Sequence, residues 1–171
     1  FDFRFYKDIY IVKTNLNGGV VFQKTYGGKF LEKGMDIVSK GNGDGYMVLG
    51  QQCKHRYDIF SCGPITKVMI LDIDENGNDL DQTFLGGLKF YEFGTPMALA
   101  NTSNDGYVFA TNPRNGGNVW LYKWGDSEDN LNLKISPGGF GGESIEKTLD
   151  NGFIISTGGG TVLKTDSQLS Y

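Results

Sequence analysis

An apolar alternation closing on an Asn-Gly turn, Asp8-Ile-Tyr-Ile-Val-Lys-Thr-Asn-Leu-Asn17-Gly18, recurs along the chain, and this repetition constrains the fold more than any other feature. Val68-Met-Ile-Leu-Asp-Ile-Asp-Glu-Asn76-Gly77 aligns with it, Val119-Trp-Leu-Tyr-Lys-Trp124 does so without the Asn-Gly, and Val162-Leu-Lys-Thr-Asp166 is a fourth copy. Lys13, Asp72, Lys123 and Lys164 are equivalent in this register, at spacings of about 40 to 60 residues. Two further marks follow in constant order. One is a Gly-Gly pair: Gly27-Gly28, Gly86-Gly87 and Gly138-Gly139. The other is Asp44-Gly45-Tyr46, Asp105-Gly106-Tyr107 and Asn151-Gly152-Phe153, with Val38, Leu99 and Ile145 before its glycine and Val48, Phe109 and Ile155 after it.

The alternation has the period of strands, with side chains pointing to opposite faces in turn. No stretch sustains a helical period over ten residues without Gly. Asn-Gly and Asp-Gly between such runs predict tight two-residue hairpins, whose central positions need φ above zero. Each unit therefore reads as a four-stranded antiparallel meander, and the fold as all-β. Meanders at this spacing, carrying the same marks in one order, predict a β-propeller; a sandwich is the alternative. The segments are a partial blade at 1–28, blade repeats at 30–87 and 90–139, and a partial blade at 143–171. About three blades' worth of strands falls below the usual minimum of about four. The ring is therefore expected to continue beyond this chain, with closure by a second copy as the alternative. Phe at position 1 likewise reads as the interior of a longer protein.

The run from Asp8 to Gly28, ending Gln-Lys-Thr-Tyr-Gly-Gly and followed by an Asp-Gly-Tyr strand, resembles the repeat of large secreted or cell-surface propeller proteins of bacteria and archaea. Their units run approximately Asp-x-Tyr-x-Val-Lys-Thr-Asp-x-Asn-Gly-x-x-x-Trp-x-Lys-Thr-Tyr-Gly-Gly, then Asp-Gly-Gly-Tyr. The resemblance spans essentially the whole chain, although Phe22 stands where that pattern has Trp. It implies architecture, an extracellular or cell-surface setting and a non-catalytic role.

Composition narrows the partners. Sixteen Lys and Arg against 20 Asp and Glu leave a net charge of -4 with no basic stripe, which argues against nucleic acid. No apolar run approaches the ~20 residues of a spanning helix. A hydrophobic share of 39% is enough for a packed core.

Cys53 and Cys62 bracket an enlarged loop and are expected to form a disulfide, which would place the protein in an oxidising compartment; two free thiols are the alternative. Asp72, Asp74 and Asn76 open like a calcium loop, but the pattern then lacks its later acids: Leu80 and Thr83 stand where ligands belong. A hairpin tip without metal is the preferred reading there, so no cofactor is expected, with calcium the alternative. Trp120, Tyr122 and Trp124 alternate as core residues do. The enlarged loops, residues 52–64 and 112–117, exceed what a strand connection requires, so His55, Arg56, Tyr57 and Arg114 are the expected contact residues.

The function expected from these readings is a non-catalytic binding or structural module, whose partner is a protein or glycan on a cell surface or matrix. An enzyme acting on glycans, with its catalytic groups in loops or in further blades, is one alternative. A calcium-dependent adhesion module is the other.

Overall fold

The computed structural model describes residues 7–41, 43–53, 66–86, 94–103, 106–112, 118–125, 132–136 and 141–171, with the backbone alone considered at 66 and 132–136. These residues form strands β1 (Ile9–Thr14), β2 (Val20–Tyr26), β3 (Leu31–Ser39), β4 (Tyr46–Cys53), β5 (Thr66–Ile73), β6 (Asp79–Leu85), β7 (Thr95–Asn101), β8 (Tyr107–Asn112), β9 (Val119–Trp124), β10 (Asn132–Ser136), β11 (Gly142–Lys147), β12 (Phe153–Thr157) and β13 (Val162–Thr165). No helix occurs among the described residues. Every pairing is antiparallel between chain neighbours, giving four sheets in chain order: β1-β2, β3-β4-β5-β6, β7-β8-β9-β10 and β11-β12-β13. The all-β meander expected from the repeat is present. The first sheet holds two strands and the last sheet three.

The sheets stack face to face in sequence because both faces of the inner ones are apolar. In β4 every residue after Tyr46 is buried. Along β4 and β5 the side chains separate by parity: Val48, Met69, Leu71 and Ile73 pack with Ile9 and Tyr26 of the first sheet. Met47, Leu49, Val68 and Ile70 pack the opposite way, against Leu99, Tyr107, Phe109 and Tyr122 of the third sheet. Ala98, Ala100, Val108, Ala110, Val119 and Leu121 then cover Ile145, Phe153 and Ile155 of the fourth. Burial of both faces explains why these central strands read as apolar runs.

The approach is closest at the first strands. β3 lies beside β7 and β7 beside β11, whereas among the described residues β6 and β10 have no comparable neighbour outside their own sheet. The sheets therefore fan outward from their first strands, and small residues fill the narrow side. A Cβ on Gly142 would stand 2.7 Å from the Ala110 Cβ, and one on Gly50 would stand 2.9 Å from the Ile9 Cδ1. Each first strand carries a bulge at the same place, between Gly34 and Asp36, Pro96 and Ala98, and Gly142 and Ser144. A bulge bends the strand and raises its twist, so its repetition gives the three strands one shape.

The hairpins differ from expectation. Each spans five or six residues: the Asn15 N–H reaches the Gly19 carbonyl, Asp74 reaches Asn78, Thr102 reaches Gly106, Thr148 reaches Gly152 and Lys40 reaches Gly45. The two-residue turns expected from Asn-Gly and Asp-Gly do not form. In the Asn-Gly copies the glycine supplies positive φ, 79° at Gly18 and 75° at Gly77. The glycine of the Asp-Gly-Tyr mark answers to a different need. A Cβ on Gly45 or Gly152 would overlap the carbonyl oxygen of Ile73 or Thr165, and one on Gly106 would stand 3.0 Å from that of Trp124, in each case the residue that ends the adjacent third strand. The longer Lys40–Gly45 turn also shifts one register. Ile37, and not Val38, stands opposite Val48, as Leu99 stands opposite Phe109 and Ile145 opposite Ile155.

Candidate functional site

The three bulged first strands line a groove of about 560 Å³, walled by Asp36, Ser39, Asn101, Thr102, Ser144 and Glu146 among others. The chemistry of its walls is unequal. Asp36 follows the bulge of β3 and accepts from the backbone N–H of Leu99 at 2.8 Å and of Ile37 at 2.8 Å, so its carboxylate joins β3 to β7. The Asn101 amide donates to the Ser39 carbonyl at 2.7 Å and makes a second bridge between the same strands. These groups hold the sheets together. The opposite wall is open: Ser144, Glu146 and Lys147 are exposed on β11. A hydroxyl, an acid and an amine facing backbone-locked polar groups suit a polar ligand held by hydrogen bonds.

A buried acid lies at the other end of β3. Glu32 is 2% exposed, accepts from the Gln52 amide at 3.0 Å, and lies within 3.4 Å of the Gly28 N–H. Glu32 and Asp8 explain the first glycine of the Gly27-Gly28 pair, because a Cβ on Gly27 would sit 2.5 Å from an Asp8 carboxylate oxygen and 2.9 Å from one of Glu32. Nothing in the sequence pattern singles out Glu32, since its burial depends on Gln52 arriving from the next strand. Gln52 and Cys53 end β4. Cys53 is 6% exposed and is not a free thiol. Cys62, His55, Arg56, Tyr57 and Arg114 lie outside the described residues.

The residues expected at a calcium loop are placed apart in role. Asp72 on β5 forms an ion pair with Lys40. Asp74 caps its own turn: one oxygen accepts from the N–H groups of Asn76 at 2.8 Å and Asn78 at 2.7 Å, and the other accepts from the Asn78 amide at 2.7 Å. Asn15 makes the same cap without a charge. Hydrogen bonds from Asn78, backbone first and side chain next, hold the Asp74 carboxyl below its usual range. Any stabilisation from this shift is present above the ordinary carboxylate range and fades as pH falls through the lowered value. Lysines already occupy the cation positions nearby, with Lys13 donating to the Glu75 carbonyl at 3.0 Å and Lys24 to the Asn78 side chain at 2.7 Å. Among the described residues no group of three or more His, Cys, Asp or Glu side chains gathers as a metal site. Thermal denaturation of Asp74→Asn should match that of the parent, since Asn15 shows that an amide serves, while Asp74→Ala should lower the melting temperature. Calcium or a chelator should move neither; a calcium-dependent rise abolished by both substitutions would reverse this reading.

Trp120, Tyr122 and Trp124 belong to the packing between the second and third sheets. Tyr122 stacks on Phe109 with ring centres 5.0 Å apart, Trp124 lies 6.1 Å from Tyr107, and Trp120 is partly buried against the same cluster.

No family model matches the chain, and no curated protein does. Among solved structures it is similar to a chain of Kuenenia stuttgartiensis hydrazine synthase, with a TM-score of 0.61 and 14% identity over 90% of this chain. It spans half the length of that chain. The likeness concerns the fold.

Proposed function

We propose that these residues are consecutive blades of a larger β-propeller, and that the propeller is a non-catalytic binding or structural module of a secreted or cell-surface protein. The observation that carries this reading is the fan of meanders, close at β3, β7 and β11 and open at the fourth strands. A wedge of this kind is what radial packing of blades requires. In that arrangement the polar groove lies along the axis, where ligands commonly enter. Its inner acid, Asp36, is committed to backbone N–H groups, which favours binding over acid or base chemistry. The partner is a protein or glycan of a surface or matrix. Pairing of Cys53 with Cys62, the other cysteine in the chain, belongs to the same proposal and suits an oxidising compartment.

Electron microscopy of the full product of the gene should show a closed ring of blades, and that product should bind glycans or matrix proteins without turning over glycan substrates. A two-layer sandwich in the images would overturn the architecture. Hydrolysis or elimination of a glycan, lost on substitution of a groove acid, would overturn the non-catalytic role.

A further inference from the structure

The outer face of the last sheet breaks a rule that the inner sheets obey. Ile154 follows the aromatic that opens a second strand, as Met47 and Val108 do, yet it is 41% exposed where they are 4% and 0%. Val162 lies two residues before Lys164, as Ile70 and Leu121 lie before Asp72 and Lys123, yet it is 63% exposed where they are 2% and 1%. In the inner sheets these positions are buried by the next sheet in the chain. The last sheet presents the same apolar residues with no further sheet against them among the described residues.

Lys164 shows the same unfilled relation. Its equivalents reach across to the following sheet: Lys13 donates to the carbonyl of Glu75, and Lys123 lies 3.5 Å from that of Ser167, each the residue after the one that caps the turn. Lys164 turns back within its own sheet and pairs with Asp150 at 2.8 Å.

The edge of the sheet is prepared as well. β13 pairs with β12 on one side. It then enters a turn in which the Asp166 N–H reaches the Ser170 carbonyl and the Asp166 side chain accepts from Gln168 and Ser170 at 2.8 Å each. The turns at Asn15–Gly19 and Asp74–Asn78 have the same construction, and they feed the fourth strands β2 and β6. Leu169 holds the left-handed position taken by Gly18 and Gly77, at φ 60°, and is 2% exposed within the core. A non-glycine residue stays there only when its surroundings require it, so packing fixes this turn. It aims the chain antiparallel along the free edge of β13.

We propose that the outer face of β11-β12-β13 is a docking surface for a further sheet of the same repeat, contributed by the chain that follows Tyr171. This deepens the propeller reading and rests on it for the order of events. A fourth strand first pairs with β13. The next sheet then covers Ile154 and Val162, and Lys164 leaves Asp150 for a carbonyl of the incoming hairpin. The direction of the Asp166–Ser170 turn favours the same chain over a second copy. So does the similar solved chain, of which this one spans half.

Ile154→Asp and Val162→Asp, made both in the 171-residue chain and in the full product of its gene, test the assignment. In the short chain the melting temperature should stay within about 2 °C of the parent, as exposed positions allow. In the full product it should fall by about 5 °C or more, as a charge placed in an interface requires. Hydrogen exchange of the unsubstituted protein covers the case in which a variant does not fold, with the amides of Val162–Thr165 exchanging at least about tenfold more slowly in the full product. Equal neutrality and equal exchange in the two forms would overturn the proposal. So would a short chain that sediments as a dimer dissolved by Ile154→Asp, because the occupant would then be a second copy. Images of an open stack with these readouts intact would defeat the propeller and leave the docking surface standing.

Discussion

Gly45→Ala is expected to destabilise the protein by about 4 kcal/mol, the sum of overpacking and left-handed backbone strain. The added Cβ would overlap the carbonyl oxygen of Ile73 and stand 2.7 Å from the Asp74 Cα. Both are backbone atoms of the neighbouring strand and its turn, so no side-chain rotation relieves the contact. The φ of Gly45, +134°, adds a conformational penalty that its counterpart Gly152 escapes. For a domain of this size about 4 kcal/mol corresponds to a fall of about 10 °C in melting temperature. Gly28→Ala is the control, because a Cβ there meets nothing within 4 Å and the residue has no positive φ. Chemical denaturation of the two variants beside the parent decides the matter. If Gly45→Ala behaves like Gly28→Ala, the close approach does not explain the repeated glycine.

Phe109→Ala should cost about 3 to 5 kcal/mol, the range for deleting a fully buried aromatic ring. Phe109 is 0% exposed, lies between the second and third sheets and stacks on Tyr122. Its neighbours Leu49, Val68 and Leu99 belong to three different strands, so the void cannot be closed by moving one of them. Against a total stability of about 5 to 15 kcal/mol, such a loss removes a large fraction. Leu16→Ala, at a fully exposed turn position, should change stability by less than about 0.5 kcal/mol. Comparable denaturation midpoints for the two variants would show that the packing between these sheets does not hold the fold.

Local chemistry made the meander legible. Alternation of apolar residues in Ile9–Thr14 and Val119–Trp124, with glycine at the turns, requires only neighbours in sequence, and it correctly indicated an all-β chain of antiparallel strands in small sheets. The core role of Tyr122 and Trp124 followed from the same alternation. The hairpin lengths did not follow, because a side-chain oxygen at Asn15, Asp74 or Asp166 caps two N–H groups at once and stabilises a wider turn than Asn-Gly alone suggests.

The sequence by itself determined that this chain makes antiparallel β-meanders in tandem, since propensity, period and turn residues act over a few residues. Tertiary structure alone decided which polar groups matter. Asp36 becomes a bridge only because the Leu99 N–H arrives from the next sheet, and Glu32 becomes a buried acid only because Gln52 and Gly28 close around it. It likewise decided why Gly45, Gly106 and Gly152 are glycine, because the obstructing carbonyls of Ile73, Trp124 and Thr165 come close only when the neighbouring strand of the same sheet pairs with theirs. Contacts between distant segments depend on how the sheets are set against one another, and that setting is the sum of many small packing choices which no single stretch of residues encodes.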